Sequence, residues 1–486
     1  MGRIKKITAA LTSAIMLFTL QMAVFAEEQV LSAVDQPSEW AADSVEWSEI
    51  YGLVSGEMLG DYTKEVTREE LYSVCVSVYE RITDQIVIPV EKNPYSDTDS
   101  VAVLKACTLG ILDGTGKFEP EEDATRLDMV RSTYEVIKAA QPDFDFKTSM
   151  ELTFKDAGTI PEESVDIVKY AVSKGILNGR SSTILDLGST CNRQELMVFA
   201  RRAYEFVIYE AGKDSKGAFW KVSDEDSSVY LLGSIHLADR SMYPLSKDIL
   251  KAYDESDYLA VEVDISKQQE VAAYMLQKAF YTDDNTLYKN VPKEVYDRFV
   301  EVIEPMGIRP EFYNKFKPWY AALIAQSLMY TENSLSAEIG IDMFFVNKAS
   351  GKKEILEIEG TKFQVDMFDS FSTELQVEFL ASSLGDDETN EASMDELNGL
   401  IKLWKMGNVE ELGKMVKSEE AETEAMREFN EKLWYSRDTN MAEKVRTYLA
   451  DPEGKTYFVV VGAGHMVGEN GIVDQLDDEY EIKHIN

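Results

Sequence analysis

Val229-Tyr230-Leu231-Leu232-Gly233-Ser234-Ile235-His236 and Tyr457-Phe458-Val459-Val460-Val461-Gly462-Ala463-Gly464-His465 follow one plan: an apolar run, a glycine, and a histidine three places later. Short, almost unbroken runs of β-branched and aromatic residues predict strands buried on both faces. The chain holds only 3 histidines in 486 residues, and two of them close this motif. Glycine at a strand end lets backbone approach a ligand closely, so Gly233 and Gly462 are candidate substrate contacts. Imidazole is both a common metal ligand and a general base near neutral pH.

Two further runs, Tyr258 to Val263 and Glu354 to Ile358, end at carboxylates, Glu262 and Glu359. Helical patterns separate the four runs, which predicts an α/β domain with a central mixed sheet over residues 217–486. Ligands of such folds gather at the carboxyl ends of strands, where both histidines and both glutamates are expected to converge. Two imidazoles with one or two carboxylates suit manganese, cobalt or zinc and an activated water. Arg240 and Tyr243 follow His236 on a loop facing the same cleft; a surface charge and a packed ring are the alternative. Leu384 to Lys432 is acidic with apolar residues at helical spacing, predicting helices that cover the sheet. Another helix is expected to begin at Lys317-Pro318-Trp319-Tyr320, with proline in its first turn.

The first two hundred residues read differently. Arg3, Lys5 and Lys6 precede an apolar stretch that ends at Ala23-Val24-Phe25-Ala26, the pattern of a secretory signal peptide over residues 1–26. No later run is long enough for a transmembrane helix. Three cysteines, Cys75, Cys107 and Cys191, lack metal-type spacing and a disulfide framework. A net charge of −39 argues against nucleic acid as a partner.

A unit of two amphipathic helices recurs about every sixty residues. Thr67-Arg68-Glu69-Glu70-Leu71, Thr125-Arg126-Leu127-Asp128-Met129 and Asn192-Arg193-Gln194-Glu195-Leu196 open the second helix of each copy. Thr125 and Asn192 are expected to cap those helices, with Arg126 left pointing outward. The repeats resemble S-layer homology (SLH) domains, at residues 27–88, 89–148 and 149–210. That resemblance implies an all-α anchor to a secondary cell-wall polymer, with Arg68, Arg126 and Arg193 as polymer contacts, and hence a protein at the bacterial cell surface.

The remainder resembles the TraB/GumN family, which includes Tiki-type proteases. The resemblance rests on Tyr230 to Leu237, Tyr243-Pro244-Leu245, Leu259 to Asp264, Gly340-Ile341-Asp342, Ile358-Glu359 with Gln364, Trp434 to Asp438, and Val460 to Gly468. It implies a fold shared with erythromycin-esterase-like and ChaN-like proteins and a metal-dependent peptidase. It further implies His236, His465, Glu262 and Glu359 as metal ligands, and His236, His465, Glu262 and Arg437 as catalytic groups. Arg437 would hold a substrate carboxylate or oxyanion. Capture of a peptide signal without cleavage is the alternative, and haem binding a weaker one.

Overall fold

A computed structural model describes residues 36–486 apart from 55, 225–226, 333–334, 386 and 418–422; the expected signal peptide lies outside them. The chain separates into two compact units, Gln29–Asp214 and Ser215–Asn486. Among the described residues no helix is long and apolar enough to cross a membrane.

The first unit is helical. Its repeats pair α1 (Glu39–Ile50) with α2 (Arg68–Thr83), α3 (Val101–Thr108) with α4 (Arg126–Ala140), and α5 (Val165–Ser173) with α6 (Arg193–Glu210). Thr67, Thr125 and Asn192 each accept a hydrogen bond from the amide three residues on, and Glu70, Asp128 and Glu195 reach back to close a capping box. Each such cap stabilises its helix by about 1 kcal/mol. Just before these caps the three copies bond head to tail. Val66 N–H donates to the Cys191 carbonyl, Cys191 N–H to Ala124, and Ala124 N–H to Val66, so the repeats close into a ring.

Ring closure corrects the expectation for the arginines. Each helix start turns toward the neighbouring copy rather than to solvent. Arg126, 5% exposed, donates to the carbonyls of Leu185 and Asn178 and pairs with Glu195. Arg193, 8% exposed, donates to Gly60 and pairs with Glu70. Arg68 is half-buried, donates to the Phe118 carbonyl and lies over that ring. Among the described residues it has no carboxylate partner.

The second unit is a mixed sheet of six strands, in the order β4-β3-β5-β2-β1-β6. β2 (Ser228–Ser234), β3 (Tyr258–Val261), β4 (Glu354–Glu357) and β5 (Thr456–Gly462) are parallel neighbours. β1 (Ala218–Ser223) runs antiparallel to β2, and β6 (Glu481–His484) antiparallel to β1. The register sets Ser234 opposite Gly462 and Val261 opposite both Val460 and Glu357. The residues that follow all four parallel strands therefore emerge at one edge. Below that edge the sheet core is aromatic, with Phe458 packed against Phe219, Tyr253 and Phe345.

Six helices matter for the site: α7 (Pro318–Glu332), α8 (Ile341–Ala349), α9 (Thr361–Asp369), α10 (Asp387–Lys405), α11 (Val409–Val416) and α12 (Ser436–Leu449). α7 starts at the expected proline. α10 and α11 cover the strand ends, and the fully buried Trp404 of α10 donates its indole N–H to the Gly233 carbonyl at 2.6 Å.

Candidate active site

The end of β2 is held from below by α8. A Cβ at Gly340 would stand 2.2 Å from the His236 carbonyl oxygen, so only glycine lets α8 begin against that backbone. Ile341 N–H then donates to the Ile235 carbonyl. This placement seats Asp342 under the strand end, where Oδ2 meets His236 Nδ1 at 2.6 Å and Oδ1 accepts from the Ser234 hydroxyl at 2.7 Å.

The end of β5 repeats the arrangement with different parts. His465 Nδ1 lies 2.5 Å from Asp438 Oδ1, and Lys417 Nζ donates to Asp438 Oδ2 at 2.7 Å. The Trp434 ring stands against His465 with centroids 4.9 Å apart. It fits because residue 464 is glycine; a Cβ there would meet that ring at 2.6 Å. Trp434 belongs to a π-helical turn, Glu431–Tyr435, directly before α12. Such widened turns recur at functional sites. Here it precedes Arg437 and Asp438, both turned inward and essentially buried.

Between the histidines lies a charged bridge. Arg437 donates through Nε and Nη2 to both oxygens of Glu359 at 2.8 Å, and through Nη2 to Glu262 Oε2 at 2.7 Å. Gln364, on α9, donates to both glutamates, and Gly462 N–H donates to Glu262 Oε1 at 2.6 Å. Burial disfavours the Glu262 carboxylate, but Arg437, both imidazoles and the Gly462 amide outweigh that and bring its pKa down to about 2. For His236, burial opposes the imidazolium, and the Asp342 carboxylate prevails to hold the pKa above its ordinary value. Burial opposes the Arg437 guanidinium, and the Glu359 and Glu262 carboxylates outweigh it and raise its pKa.

The structure thus brings His236, His465, Glu262, Glu359 and Arg437 together, and it corrects several expected roles. Arg437 pairs with two glutamates, so its fork is not free for a substrate. Among the described residues no group of three or more His, Cys, Asp or Glu side chains is disposed to hold a metal ion. Glu262 and Glu359 turn to Arg437 and Gln364 rather than completing a ligand set with the histidines. Gly233 packs against Ala463 and Ala218, and Gly462 positions Glu262. Tyr243 is a buried ring whose hydroxyl donates to the Ile339 carbonyl, and Arg240 is exposed on the turn just before it, Arg240–Met242.

What remains unsatisfied is Nε2 of both His236 and His465, buried and without a hydrogen-bond partner among the described residues. A cavity of about 30 Å³ adjoins His236, walled by Leu397 and Leu400 of α10, Leu412 and Val416 of α11, and Trp434. Sequence reasoning assigned no role to Asp342, Lys417 or Trp434 and left that of Asp438 in doubt.

Glu262 makes the unit acid-labile. Its folded-state pKa, about 2, lies below an unfolded value near 4.3. The stability it contributes is therefore complete above the unfolded value and is lost as pH falls through that window. The thermal midpoint is expected to fall between about pH 4.5 and 2, and less steeply in Glu262→Gln; parallel curves for the two proteins would refute this.

An α/β unit whose neighbouring parallel strands deliver two aspartate-held histidines to one sheet edge defines the class. Residues 218–484 match the model of the TraB/PrgY/gumN family, and the chain belongs to that family. It is 25% identical over 250 residues to an uncharacterized protein, YbaP, of Escherichia coli (strain K12), covering 51% of this chain and 87% of that one. Over 321 residues it is 22% identical to metalloprotease TIKI1 of Homo sapiens, covering 54% of this chain and 61% of the relative. A stretch of 57 residues is 39% identical to metalloprotease TIKI1 of Danio rerio, 12% of each chain.

Proposed function

We propose that this protein is an exported, wall-anchored hydrolase that cleaves extracellular peptides with a divalent cation at the His236–His465 pair. The observation that carries the reading is the pair of buried, unpartnered Nε2 atoms, each on a ring whose Nδ1 faces a buried aspartate. An Nδ1–H···carboxylate bond fixes the tautomer that leaves Nε2 as a lone-pair donor, the usual support of a metal-bound imidazole. The two rings would offer a divalent cation two nitrogen donors, and the metalloprotease name of distant relatives supports that choice. A cation there would polarise a carbonyl and activate water. Asp342 and Asp438 orient the rings, and Arg437 keeps Glu262 anionic beside both of them.

Non-catalytic peptide capture is favoured by one observation: α10 and α11 leave only about 30 Å³ beside His236. A space of that size does not hold haem on this face. Calorimetric titration of the full chain with manganese, cobalt and zinc, paired with mass-spectrometric screening of a peptide library, separates the readings. Hydrolysis requires cation binding that weakens as pH drops into the histidine range, together with cleavage products. Absence of both would leave capture.

Anchoring rests on the three-copy helical ring and on Arg68, the arginine of the three that has no carboxylate partner among the described residues. Arg68→Ala is expected to weaken co-sedimentation with purified wall fragments about tenfold at low salt. Unchanged sedimentation would remove Arg68 from that role.

A further inference from the structure

Next to the buried site, the second unit carries a groove of about 710 Å³, well within the range of ligand-binding clefts. Phe429, Trp434, Met426, Val416 and Val467 line it with apolar surface. Its rim is acidic, with Glu410, Glu469, Asp474 and Asp477. The two lysines among its lining residues are already engaged. Lys414 pairs with Glu410 and Glu411, and Lys417 with the buried Asp438. Asp474 accepts the Asn470 amide, whereas Glu469 and Asp477 have no cationic partner among the described residues.

We propose that this groove binds a peptide segment in which an apolar side chain is flanked by lysine or arginine. The apolar wall takes the hydrophobic side chain and the acidic rim takes the flanking cations. The inference rests on the reading of this unit as one that acts on peptides, and it names the kind of peptide. Two lining residues join the groove to the chemistry. Trp434 forms its wall and stands against His465, and Lys417 holds the aspartate that orients His465. A segment seated there lies one side chain away from that histidine.

The test uses the full chain, in its native form and as His236→Ala, titrated calorimetrically with acetyl-Lys-Leu-Phe-Lys-amide, acetyl-Lys-Ser-Ser-Lys-amide and acetyl-Glu-Leu-Phe-Glu-amide. The first peptide is expected to bind at least about tenfold tighter than either of the others. Glu469→Lys with Asp477→Lys should remove that preference. Glu91→Lys with Glu121→Lys, which changes the net charge equally at exposed positions of the first unit, should retain it. Failure of the first peptide to bind, equal binding of all three, or equal loss in both double variants would overturn the proposal. Because binding is read directly, failure of the hydrolase reading remains distinguishable. Selective binding without cleavage would retain the groove and remove catalysis, and cleavage indifferent to the rim variants would do the reverse.

Discussion

Arg437→Met is expected to destabilise the second unit by about 3–5 kcal/mol. Arg437 is 2% exposed, and its guanidinium is the cation facing both Glu262 and Glu359. Methionine preserves much of the volume and removes the charge, leaving two buried carboxylates beside each other. Breaking one side of a buried ion network costs more than never having built it, because the surviving charge is neither hydrated nor paired. Adding Glu262→Gln and Glu359→Gln to Arg437→Met should therefore recover most of the loss. Arg437→Lys should recover little, since a point charge cannot span the fork. Scanning calorimetry of the full chain checks this; a loss below about 1 kcal/mol in Arg437→Met would mean that water reaches the bridge.

The second large effect concerns activity. His236→Ala and His465→Ala are each expected to lower peptide hydrolysis by about three orders of magnitude and to abolish cation binding, whereas Asp342→Asn and Asp438→Asn should cost about 10- to 100-fold. The grading follows from position. In the proposed hydrolase each histidine would contribute the nitrogen that faces the reaction, and each aspartate would act through its histidine, whose Nδ1 it meets at 2.6 or 2.5 Å. An asparagine can still accept from Nδ1–H, but weakly and without charge. An unchanged thermal midpoint beside the lost cation affinity distinguishes this from simple misfolding. Equal losses for His236→Ala and Asp342→Asn would argue that the pair acts as a structural unit.

Much of the second unit was legible because its chemistry is rare. Histidines at the ends of two apolar runs stand out in a chain with 3 of them, and β2, β3, β4 and β5 fall where those runs predict strands. β1 went unread because Ala218-Phe219-Trp220-Lys221-Val222-Ser223 is short and carries a lysine, and only pairing with β2 makes it a strand. The histidines' partners were hidden for another reason. Asp342 lies 106 positions from His236, in a chain with 88 acidic residues, and nothing local marks one aspartate among so many. In the first unit the caps at Thr125 and Asn192 followed from side-chain type alone. The fate of Arg126 depended on ring closure, which periodicity does not encode.

The head-to-tail bonding of Val66, Cys191 and Ala124 also determines how this first unit can vary. An open stack of repeats gains or loses a copy at its end with little disturbance, because each copy touches only its neighbours. Here the last copy bonds back to the first, so there is no end at which to add. Two copies would leave backbone groups facing empty space, and four would demand a different angle at every junction. The number three is accordingly a condition of geometry rather than of dosage, and sequence drift in one copy is restrained by the two others that must still meet around it.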